Sequence, residues 1–207
     1  NGFDWILERR LAGVAVTSDD VASMGLGGLL KEIVTRPQPR DEKVIDKGGR
    51  FAAVILAAGR STRMGGSNKL LAEITGRPLA RIAAEAALKS RARPVIVVTG
   101  HQGETLREAL ADLPLEFVDN PDFAEGLSTS LRAGISALPV DIDGVVVLLA
   151  DMPHVDSVLI DKLISAYEPD RGGLIAVPAM AGKRGNPVLW SRRFFPELMA
   201  LEGDVGA

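Results

Sequence analysis

The 207-residue sequence contains no cysteine, and this absence excludes several kinds of site. Without thiols the chain cannot form disulfide bonds, bind a metal through thiolates or use a cysteine nucleophile. A chain without cysteine also fits a reducing compartment, and we therefore expect a cytoplasmic protein.

Long apolar runs and an excess of one charge are also missing. No run reaches the roughly 18 residues that a membrane span requires. The 24 basic and 27 acidic residues give a net charge of −3, whereas a dedicated nucleic-acid-binding protein is usually clearly basic. We therefore expect neither a membrane nor a nucleic acid as a partner.

Aromatic residues are scarce, at 4% of the chain, although hydrophobic residues make up 46%. This composition favours an α/β protein over a β-sandwich. Unbroken apolar runs predict strands buried on both faces of a parallel sheet at 51–57, 94–99 and 144–150, with a shorter strand at 115–118. Helical patterns follow these strands at 79–88, 104–112, 128–138 and 157–167. The sequence therefore predicts a Rossmann-like α/β fold, a three-layer αβα sandwich around a mostly parallel sheet.

The rest of the chain divides into two further segments. Residues 1–36 contain two short helical patterns, which are too little to bury a core of their own. Residues 37–50 are rich in proline and charged residues and predict an exposed linker. We expect the main domain at 51–207. Because the chain starts with Asn rather than Met, we interpret it as a piece of a longer protein.

A glycine-rich basic loop follows the first predicted strand. Residues 56–69 read Leu-Ala-Ala-Gly-Arg-Ser-Thr-Arg-Met-Gly-Gly-Ser-Asn-Lys. Gly59 directly follows the strand, where a sharp turn favours glycine, and Gly65 allows close approach of backbone amides to a ligand. Together with Arg63 and Lys69 they favour a polyphosphate. The loop contains neither Gly-Lys-Ser/Thr nor Gly-x-Gly-x-x-Gly, and the alternative interpretation is a surface loop with solvated arginines.

Two later segments end at the same predicted sheet edge, where open α/β sheets bind ligands. Asp151 ends a buried strand, and a hard carboxylate there suits Mg²⁺ alongside substrate phosphates. Alternatively, Asp151 caps the helix that begins near Asp156, or ends the strand in a turn. Around the start of another helix lie Ser128 and Ser130, which either help to bind an anion or form a plain N-cap.

The string at 56–69 resembles the signature of the MobA-like nucleotidyltransferases, in particular the molybdenum cofactor cytidylyltransferases. Further motifs similar to that family follow in its order, at 120–131, 151–153, 185–189 and 202–207. The motif at 185–189 implies contact with the acceptor, and its alternative interpretation is a turn into a strand. The resemblance implies the nucleotide-diphospho-sugar transferase fold and transfer of CMP from CTP to the phosphate of molybdopterin, with Mg²⁺ and release of pyrophosphate. It implies catalytic roles for Arg63, Lys69 and Asp151, and metal binding by Asp151 and Asp204. The nucleotide-binding residues that it implies are Leu56, Ala57, Ala58, Gly59, Gly65, Lys69, Asn120, Gly126 and Ser130.

Base and acceptor depend on smaller features of the same resemblance. Family members that use guanosine usually have glycine where Ala58 stands, so its methyl group favours the smaller cytosine. Residues 1–13 resemble the closing segment of a molybdopterin-binding domain that precedes some family members. Two alternatives stay open: transfer to a sugar or polyol phosphate, and a nucleotide-binding module without catalysis. A dinucleotide-binding oxidoreductase is disfavoured because its glycine fingerprint is missing.

Overall fold

The computed structural model describes residues 49–59, 68–180 and 183–203. The predicted helical remnant at 1–36 and the linker as far as residue 48 lie outside these ranges. The described elements are β1 Phe51–Leu56, β2 Glu73–Ile74, β3 Arg77–Pro78, α1 Leu79–Lys89, β4 Val95–Thr99, α2 Gly103–Ala109, β5 Glu116–Asp119, α3 Leu127–Ser136, β6 Gly144–Leu149, α4 Ser157–Ser165, β7 Ile175–Ala176, β8 Ala179–Met180, β9 Lys183–Arg184, β10 Val188–Ser191 and α5 Phe195–Met199. Short 3-10 turns lie at Lys69–Leu71, Phe123–Glu125, Pro169–Arg171 and Arg192–Phe194.

A six-stranded sheet forms the centre, in the order β5-β4-β1-β6-β10-β7. The first four of these strands are parallel, whereas β10 runs antiparallel to both β6 and β7. Strand β1 is buried along its whole length, because alternate side chains enter two different cores. The predicted mostly parallel sheet with helices on both faces is confirmed.

Helices α1, α2 and α4 pack on one face of the sheet, and α3 and α5 pack on the other. Small side chains allow this close packing: Ala80, Ala84 and Ala87 share one side of α1 and are buried against the sheet. On the opposite face, a β-carbon at Gly134 of α3 would lie 2.4 Å from Cγ1 of Val54 in β1. The backbone of helix α3 at Gly134 therefore packs directly against the Val54 side chain of the central strand.

The predicted strands and helices are present, with differences at their ends. Helix α2 stops at Ala109, three residues before its predicted end, because Leu110 leaves the helical region at φ −118°. Helix α4 stops at Ser165 rather than near 167. The turn into a strand at 185–189 is confirmed, but strand β7 and the antiparallel direction of β10 were not predicted. None of the described helices has the length and apolar character needed to cross a membrane.

The chain segments that follow the parallel strands β1, β4, β5 and β6 all begin at the same edge of the sheet, the edge of the carboxyl ends. From β1 the chain goes to β4 and β5 on one side and then crosses to β6 on the other, with α1 and α3 on opposite faces. Register pairs Leu56 with both Val98 and Leu149 at the carboxyl ends of their strands. Such a reversal of the strand order opens a crevice beyond the carboxyl ends of the strands.

Candidate nucleotide-binding site

An ion pair joins the two predicted charged residues at this edge. Lys69 Nζ donates to Asp151 Oδ2 at 2.7 Å, although 82 positions separate the residues in sequence. The side chains are 47% and 35% exposed. A half-exposed pair of this kind stabilises the fold by only about 0–1 kcal/mol, so its main consequence is the position of the two charges.

Local structure explains how Lys69 reaches the edge. The side-chain oxygen of Asn68 accepts the backbone N–H of Leu70 at 3.0 Å and so begins the 3-10 turn Lys69–Leu71. Leu70 is buried in the core beneath α1. With the neighbours on both sides fixed, Lys69 projects outward. Sequence reasoning assigned no role to Asn68, although Asn before a short helical turn is a recognisable N-cap.

Asp151 is held beside the end of β1. The backbone N–H of Ala150 donates to the carbonyl of Leu56 at 3.2 Å, which extends the β1–β6 pairing by one residue. The chain then turns at Asp151. The alternative in which Asp151 caps the next helix is wrong: Asp156 is that N-cap, and its Oδ1 accepts the N–H of Leu159 at 2.8 Å.

The predicted base and ribose segment continues directly from β1. The N–H of Ala57 donates to the carbonyl of Val98 at 2.9 Å, and Ala57 and Ala58 are buried. Gly59 is exposed and has no positive φ, and a β-carbon on it would meet no described atom within 4 Å. The sharp turn expected at Gly59 stays a prediction, because the residues that follow it lie outside the described ranges.

Gly100, directly after β4, packs against this segment. A β-carbon on Gly100 would lie 2.8 Å from Cβ of Ala58, 2.8 Å from Cβ of Phe123 and 3.0 Å from the carbonyl oxygen of Ala58. The Phe123 ring lies 6.0 Å from that of His101, centroid to centroid. Gln102, the next residue, has a left-handed backbone at φ 56°. Strained non-glycine backbone of this kind concentrates at functional sites.

Asn120, predicted to bind the nucleotide, is a buried clamp in this structure. Its Nδ2 donates to Thr129 Oγ1 at 2.8 Å and to Ser130 Oγ at 2.9 Å, while its Oδ1 accepts the N–H of Asp122 at 3.0 Å. Only 3% of Asn120 is exposed. The side chain therefore ties the loop after β5 to the first turn of α3.

The N-cap interpretation of Ser128 and Ser130 is wrong. Gly126 occupies the N-cap position with φ 118° and ψ 176°, a conformation that favours glycine, and no side chain caps the helix there. Both serines lie inside the first turn and are buried. Ser130 accepts from Asn120, and the Ser128 hydroxyl has no hydrogen-bond partner among the described residues.

The end of the described chain reaches the same turn of α3. The N–H of Ser128 donates to the carbonyl of Gly203 at 3.3 Å, and Arg132 donates to the carbonyl of Leu201 at 2.6 Å. Asp204, Arg63 and Gly65 lie outside the described residues. The predicted acceptor motif at 185–189 turns into strand β10, which begins at Val188.

A second polar cluster, which sequence reasoning missed, lies at the ends of β4 and β5. Asp119 Oδ1 accepts from Arg107 at 2.7 Å and from Thr99 Oγ1 at 2.5 Å. These two hydrogen bonds, that of Arg107 first, hold the pKa of Asp119 below its ordinary value of 3.8. The Arg107 guanidinium also lies 5.0 Å above the ring of Phe117. Arg107 and Asp119 are 12 residues apart in sequence, and this spacing matches no motif from which the cluster could have been predicted.

The donors at this edge fit a magnesium ion that binds together with phosphates. Asp151 offers a partly exposed carboxylate at the sheet edge where β1 and β6 end. Within the described residues no three His, Cys, Asp or Glu side chains cluster as a metal cage. Mg²⁺ usually takes one or two carboxylates and completes its shell with water and substrate phosphates.

The sheet order and this edge define the class of protein: an α/β protein of the nucleotide-diphospho-sugar transferase fold. The chain belongs to the MobA-like NTP transferase domain family, whose model matches residues 53–207.

Several individual proteins are similar to this chain. Bifunctional protein GlmU of Kineococcus radiotolerans is 33% identical over 132 residues, 62% of this chain and 27% of that protein. The chain thus spans less than a third of that relative. Purine catabolism protein PucB of Bacillus subtilis is 30% identical, over 74% of this chain and 77% of PucB. Nicotine blue oxidoreductase of Paenarthrobacter nicotinovorans is 28% identical, over 74% and 78%.

Among solved structures, Rv0371c of Mycobacterium tuberculosis is 28% identical and superposes with a TM-score of 0.67, covering 76% of this chain and 79% of Rv0371c. A structure of Rv0371c in complex with manganese is similar at a TM-score of 0.63, 27% identity, and 75% and 78% coverage.

Proposed function

We propose that this protein transfers CMP from CTP to the phosphate of molybdopterin and releases pyrophosphate. The observation that carries the proposal is the Lys69–Asp151 pair, which brings a cation and a carboxylate together at the sheet edge where β1 and β6 end. The family match supports a nucleoside triphosphate as donor. The cytidine and the molybdopterin acceptor rest on the resemblance of the motifs to molybdenum cofactor cytidylyltransferases.

In the proposed reaction an oxygen of the acceptor phosphate attacks the α-phosphorus of CTP, the bond from that phosphorus to the bridging oxygen breaks, and pyrophosphate leaves. No protein side chain forms a covalent bond. Lys69 and Arg63 offset the negative charge that develops on the leaving pyrophosphate. Catalysis therefore depends on orientation of the two substrates and on charge neutralisation.

Asp151 is the proposed protein ligand of Mg²⁺, with Asp204 as a second ligand. When bound, the ion neutralises phosphate oxygens and increases the electrophilicity of the α-phosphorus. The manganese complex of Rv0371c supports a divalent cation in relatives of this chain. The role needs only a carboxylate oxygen, which is a ligand that Mg²⁺ prefers.

The base is proposed to lie against Ala57 and Ala58. The side chain of Ala58 has little freedom to move toward Gly100, because the backbone of Gly100 packs so closely against it that an added β-carbon would lie 2.8 Å from Cβ of Ala58. A purine, which is larger than cytosine, would have to displace this packing. Loop residues 120–130, with Asn120, Gly126 and Ser130, are proposed to form the other side of the nucleotide site.

A pyrophosphate-release assay with each of the four nucleoside triphosphates tests the proposal. We expect release with CTP that depends on both Mg²⁺ and molybdenum cofactor. Equal use of GTP would contradict the cytidine assignment, and release with a sugar or polyol phosphate instead of the cofactor would contradict the acceptor. Tight CTP binding without any release would favour a module that binds but does not catalyse.

Asp151→Asn keeps the shape of the side chain and removes its charge. We expect the rate of pyrophosphate release to fall by at least about a hundredfold, since electrostatic aids at a reacting phosphate contribute a few kcal/mol each. Glu116→Gln is the matched control and should retain the wild-type rate. It changes an exposed residue at the start of β5, the end of that strand away from the site. Wild-type turnover by Asp151→Asn at saturating Mg²⁺ would refute the role of Asp151.

A further inference from the structure

Separate parts of the fold position Lys69 and Asp151, independently of the contact between the two side chains. The Asn68 cap and the buried Leu70 hold one side of the pair. The hydrogen bond from Ala150 to Leu56 holds the other. The fold therefore fixes the backbone on both sides of the 2.7 Å contact between Lys69 Nζ and Asp151 Oδ2.

The ammonium and a metal ion compete for the same carboxylate. Mg²⁺ binds a carboxylate oxygen at about 2.0–2.1 Å, and the Lys69 ammonium already lies 2.7 Å from Oδ2 of Asp151. Two cations on the same carboxylate repel each other, although the partial exposure of Lys69 and Asp151 weakens this repulsion. A divalent cation alone has to bind Asp151 against the charge of Lys69, and no cage of three acidic or histidine ligands among the described residues compensates.

A cation that arrives with a nucleoside triphosphate changes this balance. The phosphates provide further oxygen ligands to the ion and at the same time provide Lys69 with a new anionic partner. We infer that Lys69 excludes free divalent cations from Asp151 and exchanges to the phosphates when metal and nucleotide bind together. This inference rests on the proposed function, and it predicts that the two ligands bind with strong positive coupling, which by linkage is reciprocal.

Direct binding of Mn²⁺ without nucleotide gives the first test, with free Mn²⁺ measured by electron paramagnetic resonance. Removing the competing ammonium in Lys69→Met should tighten Mn²⁺ binding on the order of tenfold, from loss of both the ion pair and the repulsion. Lys89→Met is the matched control, because it also removes one positive charge, 3.8 Å from Glu85 on α1. The control should bind Mn²⁺ as the wild type does, within about twofold.

Adding CTP should reverse the effect of the same variant. The wild type should bind Mn²⁺ more tightly with CTP, whereas Lys69→Met should bind the Mn²⁺–CTP complex on the order of tenfold more weakly, because one charged contact to the phosphates is lost. The double variant Lys69→Met/Asp151→Asn should lose the gain in nucleotide-free Mn²⁺ binding, which locates that gain at Asp151.

Two results would overturn the inference: Lys69→Met that binds Mn²⁺ alone no more tightly than the wild type, or a double variant that keeps the tighter binding. The proposed function fails on a different result, namely wild-type protein that binds none of the four nucleoside triphosphates with Mn²⁺. The nucleotide-free comparison decides the role of Lys69 in either case, so the two failures are distinguishable.

Discussion

Gly100→Ala tests whether the packing behind Ala58 positions the nucleotide. The added methyl group would lie 2.8 Å from Cβ of both Ala58 and Phe123, about 0.6 Å short of the 3.4 Å at which ordinary contact begins. It would also lie 3.0 Å from the carbonyl oxygen of Ala58. Because one of these neighbours is backbone and the others are first side-chain atoms, rotation of a flexible side chain cannot relieve the clash.

Overpacking of this size usually costs about 1–3 kcal/mol. For a domain of this length, the corresponding fall in the melting temperature is about 2–4 °C for each kcal/mol. The larger effect is expected in the reaction. A displacement of about 1 Å in a reacting group can cost about a hundredfold, so a shift of Ala58 by about half that distance should lower kcat/KM for CTP on the order of tenfold.

Gly134→Ala is the matched control for a general loss of stability. Its methyl group would lie 2.4 Å from Cγ1 of Val54 in the core between α3 and β1. Part of the resulting strain is offset by the better helix propensity of alanine, about 1 kcal/mol. We expect a lower melting temperature with an unchanged KM for CTP.

The assay is pyrophosphate release over a range of CTP concentrations, with the melting temperature of each variant measured in the same buffer. A wild-type kcat/KM for Gly100→Ala would refute the reasoning. Equal losses of kcat/KM in Gly100→Ala and Gly134→Ala, scaled to their melting temperatures, would also refute it, because both effects would then reflect instability.

Two further substitutions test the neighbouring loops. Asn120→Ala removes two buried hydrogen bonds and one partly buried hydrogen bond and should lower the free energy of unfolding by about 2–4 kcal/mol, measured by urea denaturation; a loss below about 0.5 kcal/mol would contradict the clamp. Asp119→Asn tests the lowered pKa of Asp119. Because the folded pKa lies below 3.8, the carboxylate stabilises the fold above that pH and loses this contribution as the pH falls through the folded pKa. The melting temperature of the wild type should therefore fall more steeply than that of Asp119→Asn below about pH 4, whereas parallel curves would show that Arg107 and Thr99 contribute nothing through this charge.

Much of the fold could be predicted because its signals are local. Runs such as 144–150 are continuous and apolar, and only a strand covered on both faces can bury such a run. Strand β10 shows the limit of this reasoning, because neither its length nor its antiparallel direction could be predicted. Its residues Val188–Ser191 lie between β6 and β7 and pair antiparallel with both, and a four-residue segment that includes Trp190 and Ser191 carries no period that separates strand from turn.

The sequence by itself determined the alternation of the parallel strands with their helices up to α4, the charged residues Lys69 and Asp151, and the family to which residues 53–207 belong. These follow from composition, periodicity and motif, which need no knowledge of distant contacts. Tertiary structure alone decided that Lys69 meets Asp151, that Asn120 is a buried clamp and that Gly100 packs behind Ala58. The physical reason is that the Lys69–Asp151 and Gly100–Ala58 contacts join segments that follow different strands, so their distances depend on the strand order that burial of the whole sheet selects. The Asn120 clamp depends instead on how the loop after β5 packs against the first turn of α3.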